Sequence, residues 1–137
     1  MALEKAIYQH TKDEVTPRTY AIRAPAGVEK PYIVFNVVSI SSVHAMGGDS
    51  GLTETRVQFS VYGDGYGEVK GVIENLKSAY RNYIEGNQET KMGADEEGIG
   101  GHWVQSTLIA NEVDMYENDT GLYHTLLDVF FWHMEVV

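Results

Sequence analysis

The sequence predicts an α+β fold, a mainly antiparallel sheet of about four main strands packed by one long central helix and a short N-terminal helix. Apolar residues recur at helical spacing in two segments, at the N-terminus and in the middle of the chain. Two pairs of β-prone runs, each joined by a polar turn, predict two hairpins. Hairpins favour antiparallel pairing with the helices gathered on one face of the sheet.

The N-terminal segment predicts a short helix and then irregular chain. Leu3 and Ile7 form an apolar stripe at helical spacing. The helix is expected to end before Thr16-Pro17, because the residue before a proline avoids helical angles. Residues 17–30 are otherwise irregular, with a short edge strand expected at residues 20–23.

The first hairpin is predicted from two β-prone runs around a glycine-rich turn. The first run covers residues 32–40 and continues weakly to His44, and residues 47–51 have turn composition. From Thr53 to Tyr62 apolar or threonine side chains alternate with polar ones, which is typical of a strand with one buried face. Thr53 and Thr55, beside charged neighbours, are interpreted as a solvated or subunit-facing surface.

The central helix is predicted from one apolar stripe that follows Gly63-Asp64-Gly65. The stripe consists of Val69, Val72, Ile73, Leu76, Ala79, Tyr80 and Tyr83. Asp64 or Gly65 is expected to cap this helix. The glycine spacing is GxGxG in an antiparallel setting, so a strand-to-helix cap is favoured over a nucleotide-binding loop.

Residues 86–101 are rich in glycine and carboxylates and lack periodicity, which predicts a flexible acidic loop. Long loops of this kind are usually functional or disordered. The loop is interpreted as a segment that orders on meeting a partner. Its charged residues are Glu89, Lys91, Asp95, Glu96 and Glu97.

The second hairpin is predicted from residues 103–113 and the aromatic run 122–133. Its polar tip holds Asp114, Glu117, Asn118, Asp119 and Gly121. In the return strand one face carries Tyr123, Leu127, Val129 and Phe131, and the other carries Leu122, Leu126, Phe130 and Trp132. The second apolar face is covered either by a bulge or an extra helix, or by another subunit. On the subunit interpretation, the candidate interface also includes Asp114, Glu117 and Asp119.

No residue pattern indicates a catalytic or metal site, so neither is predicted. The tip carboxylates miss the spacing of a calcium loop, and turn residues bonding their own backbone are favoured. The five histidines are scattered without an HxH or HExxH pair. A small metal- or ligand-binding domain using the Asp114–Asp119 turn with His124 stays open as a different class of function.

The length, cysteine content and net charge of the chain limit the classes of partner that it can bind. The chain has 137 residues, which suits one domain, and no cysteine, so disulfides are excluded and a reducing cytoplasm is compatible. Twenty acidic residues against ten basic ones give a charge of −10, which argues against a phosphate-binding groove and against an anionic membrane surface. No signal peptide and no membrane span are predicted.

Four sequence segments, taken in their order along the chain, resemble the tail-completion family of long-tailed phages and gene-transfer agents. Members of this family are also called tail terminators or head-to-tail joining proteins. The matching pieces are LEKAIYQ, AIRAPAGVEKPYIVF, RVQFSVYGDGYGEVKGVIENLKSAY and ENDTGLYHTLLDVFFWH. They cover nearly the whole chain except residues 86–101, so a single domain over residues 1–137 is expected.

The resemblance implies a structural virion protein without a cofactor, assembled in the host cytoplasm. Such proteins act as rings, usually hexameric, that cap the head-proximal end of the tail tube and end its polymerisation. The implied partners are further copies of the chain, the tail tube protein and the head connector, with DNA passing through the lumen without specific binding. A head-completion or minor tail protein is the nearest alternative.

Overall fold

The computed structural model describes residues 2–45, 48–81, 90–92 and 102–134. Helix α1 spans Ala2–Glu14 and helix α2 spans Tyr66–Arg81. The strands are β1 (Thr19–Ala21), β2 (Tyr32–Ala45), β3 (Gly48–Gly63), β4 (Thr90–Met92), β5 (His102–Glu117) and β6 (Leu122–Met134). The α+β class and both predicted helices are therefore confirmed.

The strands form one mixed sheet in the order β1-β2-β3-β6-β5-β4. The four long strands β2, β3, β6 and β5 alternate in direction, whereas β1 runs parallel to β2. The prediction of about four antiparallel strands is corrected to six described strands with one parallel pair. The additional strands are the three-residue β1 and β4, which lie at the two edges.

The two hairpins meet through β3 and β6, which are the central strands of the sheet. Their register pairs Val57 with Val129 and Phe59 with Leu127. All four of these side chains are fully buried. Because side chains alternate across a strand, the odd-numbered residues from Thr53 to Val61 and from Tyr123 to His133 face the same side.

Both helices pack on that side of the sheet and close one core. In α1, Leu3, Ala6 and Ile7 are buried, at helical spacing. In α2 the buried stripe is Val69, Ile73, Leu76 and Tyr80. Burying an aliphatic side chain of this size contributes about 1.5–3 kcal/mol of transfer free energy. The hydroxyl of Tyr80 lies 2.6 Å from Thr11 Oγ1, which joins the two helices inside the core.

The junction between β3 and α2 requires glycine at residue 63. A Cβ on Gly63 would lie 2.7 Å from Val69 Cγ2, which is closer than real side chains approach. The first helical bond follows at once, since the Val69 amide donates to the Gly65 carbonyl at 3.1 Å. The glycine-rich sequence is thus a strand-to-helix connection.

Several predicted boundaries differ from the structure. Strand β3 already begins at Gly48, so residues 48–51 of the predicted turn belong to the strand. Strand β5 continues to Glu117, so Asp114 and Glu117 belong to the strand, and the turn is only residues 118–121. The turn closes where the Gly121 amide donates to the Glu117 carbonyl at 2.8 Å and Gly121 takes φ +70°. The predicted loop 86–101 lies outside the described residues apart from β4, which pairs with the start of β5.

Candidate assembly surface

The sheet face opposite α1 and α2, called here the outer face, carries a group of apolar side chains on β5 and β6. Leu108 opposes Phe130, and Val113 opposes Leu126, so these side chains share one side of the sheet. Leu108, at 53% exposure, is open to solvent, and Val113 is also exposed. The full group is Leu126, Phe130 and Trp132 on β6 with Leu108, Val113 and Met115 on β5.

A charged pair on the central strands lies beside this apolar group. Arg56 Nη2 donates to Asp128 Oδ2 at 2.7 Å, and Gln58 Nε2 donates to the second carboxylate oxygen at 3.4 Å. The Asp128 side chain is only 7% exposed, whereas the Arg56 side chain is 38% exposed. The guanidinium also lies over the Phe130 ring, 6.0 Å from its centroid. Arg56 Nε is buried without a hydrogen-bond partner among the described residues.

At the other end of the outer face, three rings form a ladder across β2, β3 and β6. Tyr32 stacks on Tyr62 with centroids 5.1 Å apart, and Tyr62 stacks on His124 at 4.1 Å. Burial lowers the pKa of His124, and the Glu117 carboxylate 3.7 Å away opposes that shift. Burial likewise raises the pKa of the Tyr62 hydroxyl. The stack is therefore a neutral aromatic surface near neutral pH.

The carboxylates of β5 that face α2 form ion pairs with lysines of that helix. Glu112 forms ion pairs with Lys70 and with Lys77. These hydrogen bonds, from Lys70 first and then Lys77, lower the pKa of Glu112. Asp114 accepts a hydrogen bond from Thr125 at 2.9 Å and pairs with Lys70 at 3.1 Å, and its pKa is lowered by both contacts.

The structure corrects three of the residues predicted at an interface. Thr53 and Thr55 are 4% and 0% exposed, so they do not form a solvated or subunit-facing surface. They lie on the helix side of β3 in the same alternation as Val57, and Thr55 Oγ1 is 2.7 Å from His133 Nε2. Leu122, at 8% exposure, is also covered within the chain.

The remaining predicted residues are separated rather than gathered into one site. Leu126, Phe130 and Trp132 are partly buried on the outer face. Asp114 faces α2, because it lies opposite Thr125, while His124 and Glu117 lie on the outer side. Asp119 is exposed in the turn. Lys91 lies in β4, and the other residues predicted in the partner loop lie outside the described residues.

The split of Asp114 and His124 between the two faces removes the basis for a joint ligand site. Within the described ranges, no group of three or more His, Asp or Glu side chains is placed to hold a metal ion. Neither helix that the structure describes is long and apolar enough to cross a membrane.

Sequence reasoning missed the part of the surface contributed by β5 and by the charged pair. The alternation in β3 placed Arg56 on the outer side, but its partner Asp128 is distant in sequence and became apparent only from the β3–β6 register. Leu108 and Met115 were overlooked because a bulge at Ala110 breaks the two-residue period of β5.

The comparison that decides the family is a match to the model of tail completion protein gp17 over residues 5–134. The chain belongs to the tail completion protein gp17 family. It is a structural component of the phage tail and hence of the virion, and this family is not a family of enzymes. No curated protein matches the chain in sequence.

A solved structure has the same fold as this tail completion protein. A chain of the structure described as "Virion of native gene transfer agent (GTA) particle" aligns with a TM-score of 0.69. The alignment covers 97% of this chain and 95% of that chain, at 11% sequence identity. At this identity, the likeness shows that the two chains share one architecture over nearly their whole length.

Proposed function

We propose that the protein forms a ring, hexameric by the family resemblance, that caps the head-proximal end of the tail tube. The ring ends tail polymerisation and offers the head connector a docking surface. Membership of the tail completion family supports this role. So does the likeness to a chain from a gene transfer agent virion, where the neighbouring molecules are virion proteins.

The observation that carries the proposal is the apolar outer face. Phe130 and Trp132 stack with centroids 6.0 Å apart beside the exposed Leu108. A soluble monomer rarely leaves a large contiguous apolar patch in water, and such patches mark contact sites. In a structural tail protein, the contacting molecule is another component of the virion.

The outer face is tested by polar substitution of its aromatic residues. We expect Phe130→Ser and Trp132→Gln to keep the fold and to abolish assembly at the tail end, because both rings are partly exposed in the single chain. Circular dichroism and thermal unfolding report the fold. Sedimentation with tail tube protein and electron microscopy of tails report assembly.

The matched control is Tyr8→Ser on α1, which removes an exposed aromatic ring on the opposite side of the molecule. This variant should assemble normally. Outright unfolding of Phe130→Ser would make the outer face part of the core, and normal assembly of both variants would remove it from the interface.

The phenotype of a gene deletion distinguishes the proposed role from that of a head-completion protein. Without a terminator, tails should be overlong or unjoined to heads. Intact tails of normal length beside empty heads that have lost DNA would instead indicate head closure, and would contradict the proposal.

The lumen of the proposed ring would carry DNA without binding it. The net charge of −10 supports a surface that repels phosphates and lets the duplex slide. The acidic residues of segment 86–101 are proposed as a contact with a virion partner. Neutralising Asp95, Glu96 and Glu97 to amides should weaken head joining, whereas unchanged joining would make the segment a connector only.

A further inference from the structure

A strained turn ends the edge strand β1 and exposes an apolar side chain. The Arg23 amide donates to the Ala21 carbonyl at 2.7 Å, which closes a γ-turn with Ile22 at its centre. Ile22 takes φ +67°, a conformation that is costly for a β-branched residue. Its side chain is nevertheless 76% exposed, so the turn presents isoleucine to solvent rather than to the core.

The turn also leaves much of the neighbouring edge of β2 uncovered. β1 pairs with β2 only from Ile33 to Phe35, and the Ile22 amide then donates to the Phe35 carbonyl. Beyond Phe35, β2 pairs only with β3 among the strands that the structure describes. A groove of about 330 Å³ opens there, lined by Glu4, Ala21, Ile22, Phe35, Asn36 and Val37.

The opposite edge of the sheet has a second groove. β4 covers only His102–Val104 of β5, and from Ser106 onward β5 pairs only with β6 in the described part of the chain. A groove of about 430 Å³ runs along this edge, lined by Lys77 and residues 107–112. Its one carboxylate, Glu112, is already paired with Lys70 and Lys77.

The two grooves lie at the same level of the sheet. Residues that are paired from strand to strand form a row across the sheet. One such row begins at Phe35, beside Ile22, passes through Phe59 and Leu127, and ends at Glu112. The next apolar row begins at Val37 and ends at Ile109. Each edge strand has a bulge close to this level, at Val38 in β2 and at Ala110 in β5.

From these edges we infer that a second copy of this chain is the occupant of the β5 groove. The part of its β2 edge beyond Phe35 adds antiparallel to β5, and its Ile22 contacts the groove over residues 107–112. Because β2, β3, β6 and β5 alternate in direction, β2 of the next copy continues the alternation. β2 carries no charged residue, so a chain of charge −10 meets little repulsion from it.

This contact joins two different surfaces of the same chain, so copies can repeat it head to tail. A heterologous contact of this kind generates a ring when its rotation closes. The inference rests on the proposed ring and identifies the surfaces between its subunits, which leaves the outer face free for other virion proteins.

Disulfide trapping tests the contact directly, since the chain has no cysteine. Ile22→Cys is combined in turn with Leu108→Cys, Ala110→Cys and Asn111→Cys. The two edges are separated by three strand spacings, about 15 Å, so a disulfide inside one chain is excluded. Under mild oxidation in the presence of tail tubes, at least one pair should yield a ladder of covalent multimers on a non-reducing gel.

The control pair is Ile22→Cys with Ser78→Cys on the exposed side of α2, which should give no ladder. Rings seen by electron microscopy without a ladder from any edge pair would overturn the edge contact while leaving the ring intact. Absence of any ring from the unmodified protein with tail tubes would instead overturn the proposed function, and the edge contact with it.

Substitution of Ile22 separates assembly from folding. Ile22→Gly relieves the positive φ, so its melting temperature should equal or exceed that of the parent chain, while its assembly should fall about tenfold through loss of the anchor. Ile22→Asp should lose assembly with the fold retained. Normal ring formation by both variants would contradict a role for Ile22 in the contact.

Discussion

At the scale of single residues, the most consequential feature is a charge placed inside an apolar surface. Asp128 is almost fully covered and is held by Arg56 and Gln58. Removing one member of a buried pair leaves the other desolvated and unpaired, which is the main cost of breaking such a pair. The partial exposure of Arg56 reduces that cost, because water can solvate the freed guanidinium.

Asp128→Ala should therefore lower the free energy of unfolding by about 1–3 kcal/mol. The double replacement Arg56→Met with Asp128→Leu should recover most of that loss, because it removes both charges and keeps apolar volume. Urea denaturation of Arg56→Met, of Asp128→Leu and of the double variant closes a mutant cycle that measures the coupling. Additive effects in this cycle would show that the ion pair contributes nothing beyond its separate side chains.

His124 is the residue whose titration should govern stability just below neutral pH. Its folded pKa lies below the unfolded value of about 6.5, since burial disfavours the imidazolium. The unfolded chain thus binds a proton first, and stability is lost as the pH falls from about 6.5 towards the folded pKa. Above that window His124 is neutral in both states and adds no slope.

His124→Gln should flatten this part of the stability profile, measured by urea unfolding between about pH 8 and about pH 5. Gln9→Ala, at an exposed position of α1, is the control and should keep the slope. A slope unchanged in His124→Gln would assign the acid sensitivity to another group.

At the scale of elements, α2 is fastened to β5 by charges as well as by its apolar stripe. Glu112 lies between Lys70 and Lys77, about one turn and about three turns into the helix. All three side chains are about a quarter exposed or less. Intermediate exposure makes such a network stronger than a free surface pair and weaker than a buried one.

Glu112→Gln should reduce the free energy of unfolding by about 1–2 kcal/mol at low salt and by less at high salt. The pKa of Glu112 is lowered, so its contribution is present above its unfolded pKa near 4.5 and is lost as the pH falls through the folded value. Glu74→Gln, which removes an exposed carboxylate 3.4 Å from the same Lys77, is the control and should change stability little. Equal losses in both variants would argue against a specific clamp.

The helices and long strands could be predicted because local patterns determine them. The stripe of α2 and the alternation of β3 are visible in consecutive residues, and both elements form where the pattern predicts. The sequence predicts a short edge strand at residues 20–23, and β1 forms at Thr19–Ala21 on the edge of the sheet. The parallel pairing of β1 and the existence of β4 could not be predicted, because three residues carry no readable period and their pairing is set by tertiary contact. The pairing of β3 with β6 joins the two hairpins and is likewise set by long-range contacts, which no local sequence pattern shows.

The candidate surface was predictable only in part, for the same reason. Two apolar faces on β6 indicated that Phe130 and Trp132 needed a second partner layer, and the structure does place them away from the helices. Thr53 and Thr55 were misassigned because charged neighbours in sequence suggested exposure, whereas alternation puts threonine and charge on opposite faces. The strained Ile22 had no sequence signal, since its φ is a property of the folded backbone.

At the scale of the whole molecule, assembly must overcome the repulsion between chains that each carry a charge of −10. The surfaces argued to make contacts are chiefly apolar or uncharged, and the two basic partners of Glu112 are occupied within the chain. Attraction between copies therefore comes from apolar burial and strand pairing, while the net charge opposes it at long range.

Raising the salt concentration should consequently favour the ring, which is opposite to the behaviour of an interface held by ion pairs. Salt screens repulsion between exposed charges over about 10 Å at 0.1 M and leaves apolar contacts in place. Sedimentation velocity at about 0.02 M and about 0.5 M NaCl should show a larger oligomer fraction at the higher value. Ile22→Asp should stay monomeric at both concentrations, because screening cannot replace a missing anchor. Dissociation of the parent protein by salt would show that complementary charges, rather than apolar edges, hold the subunits together.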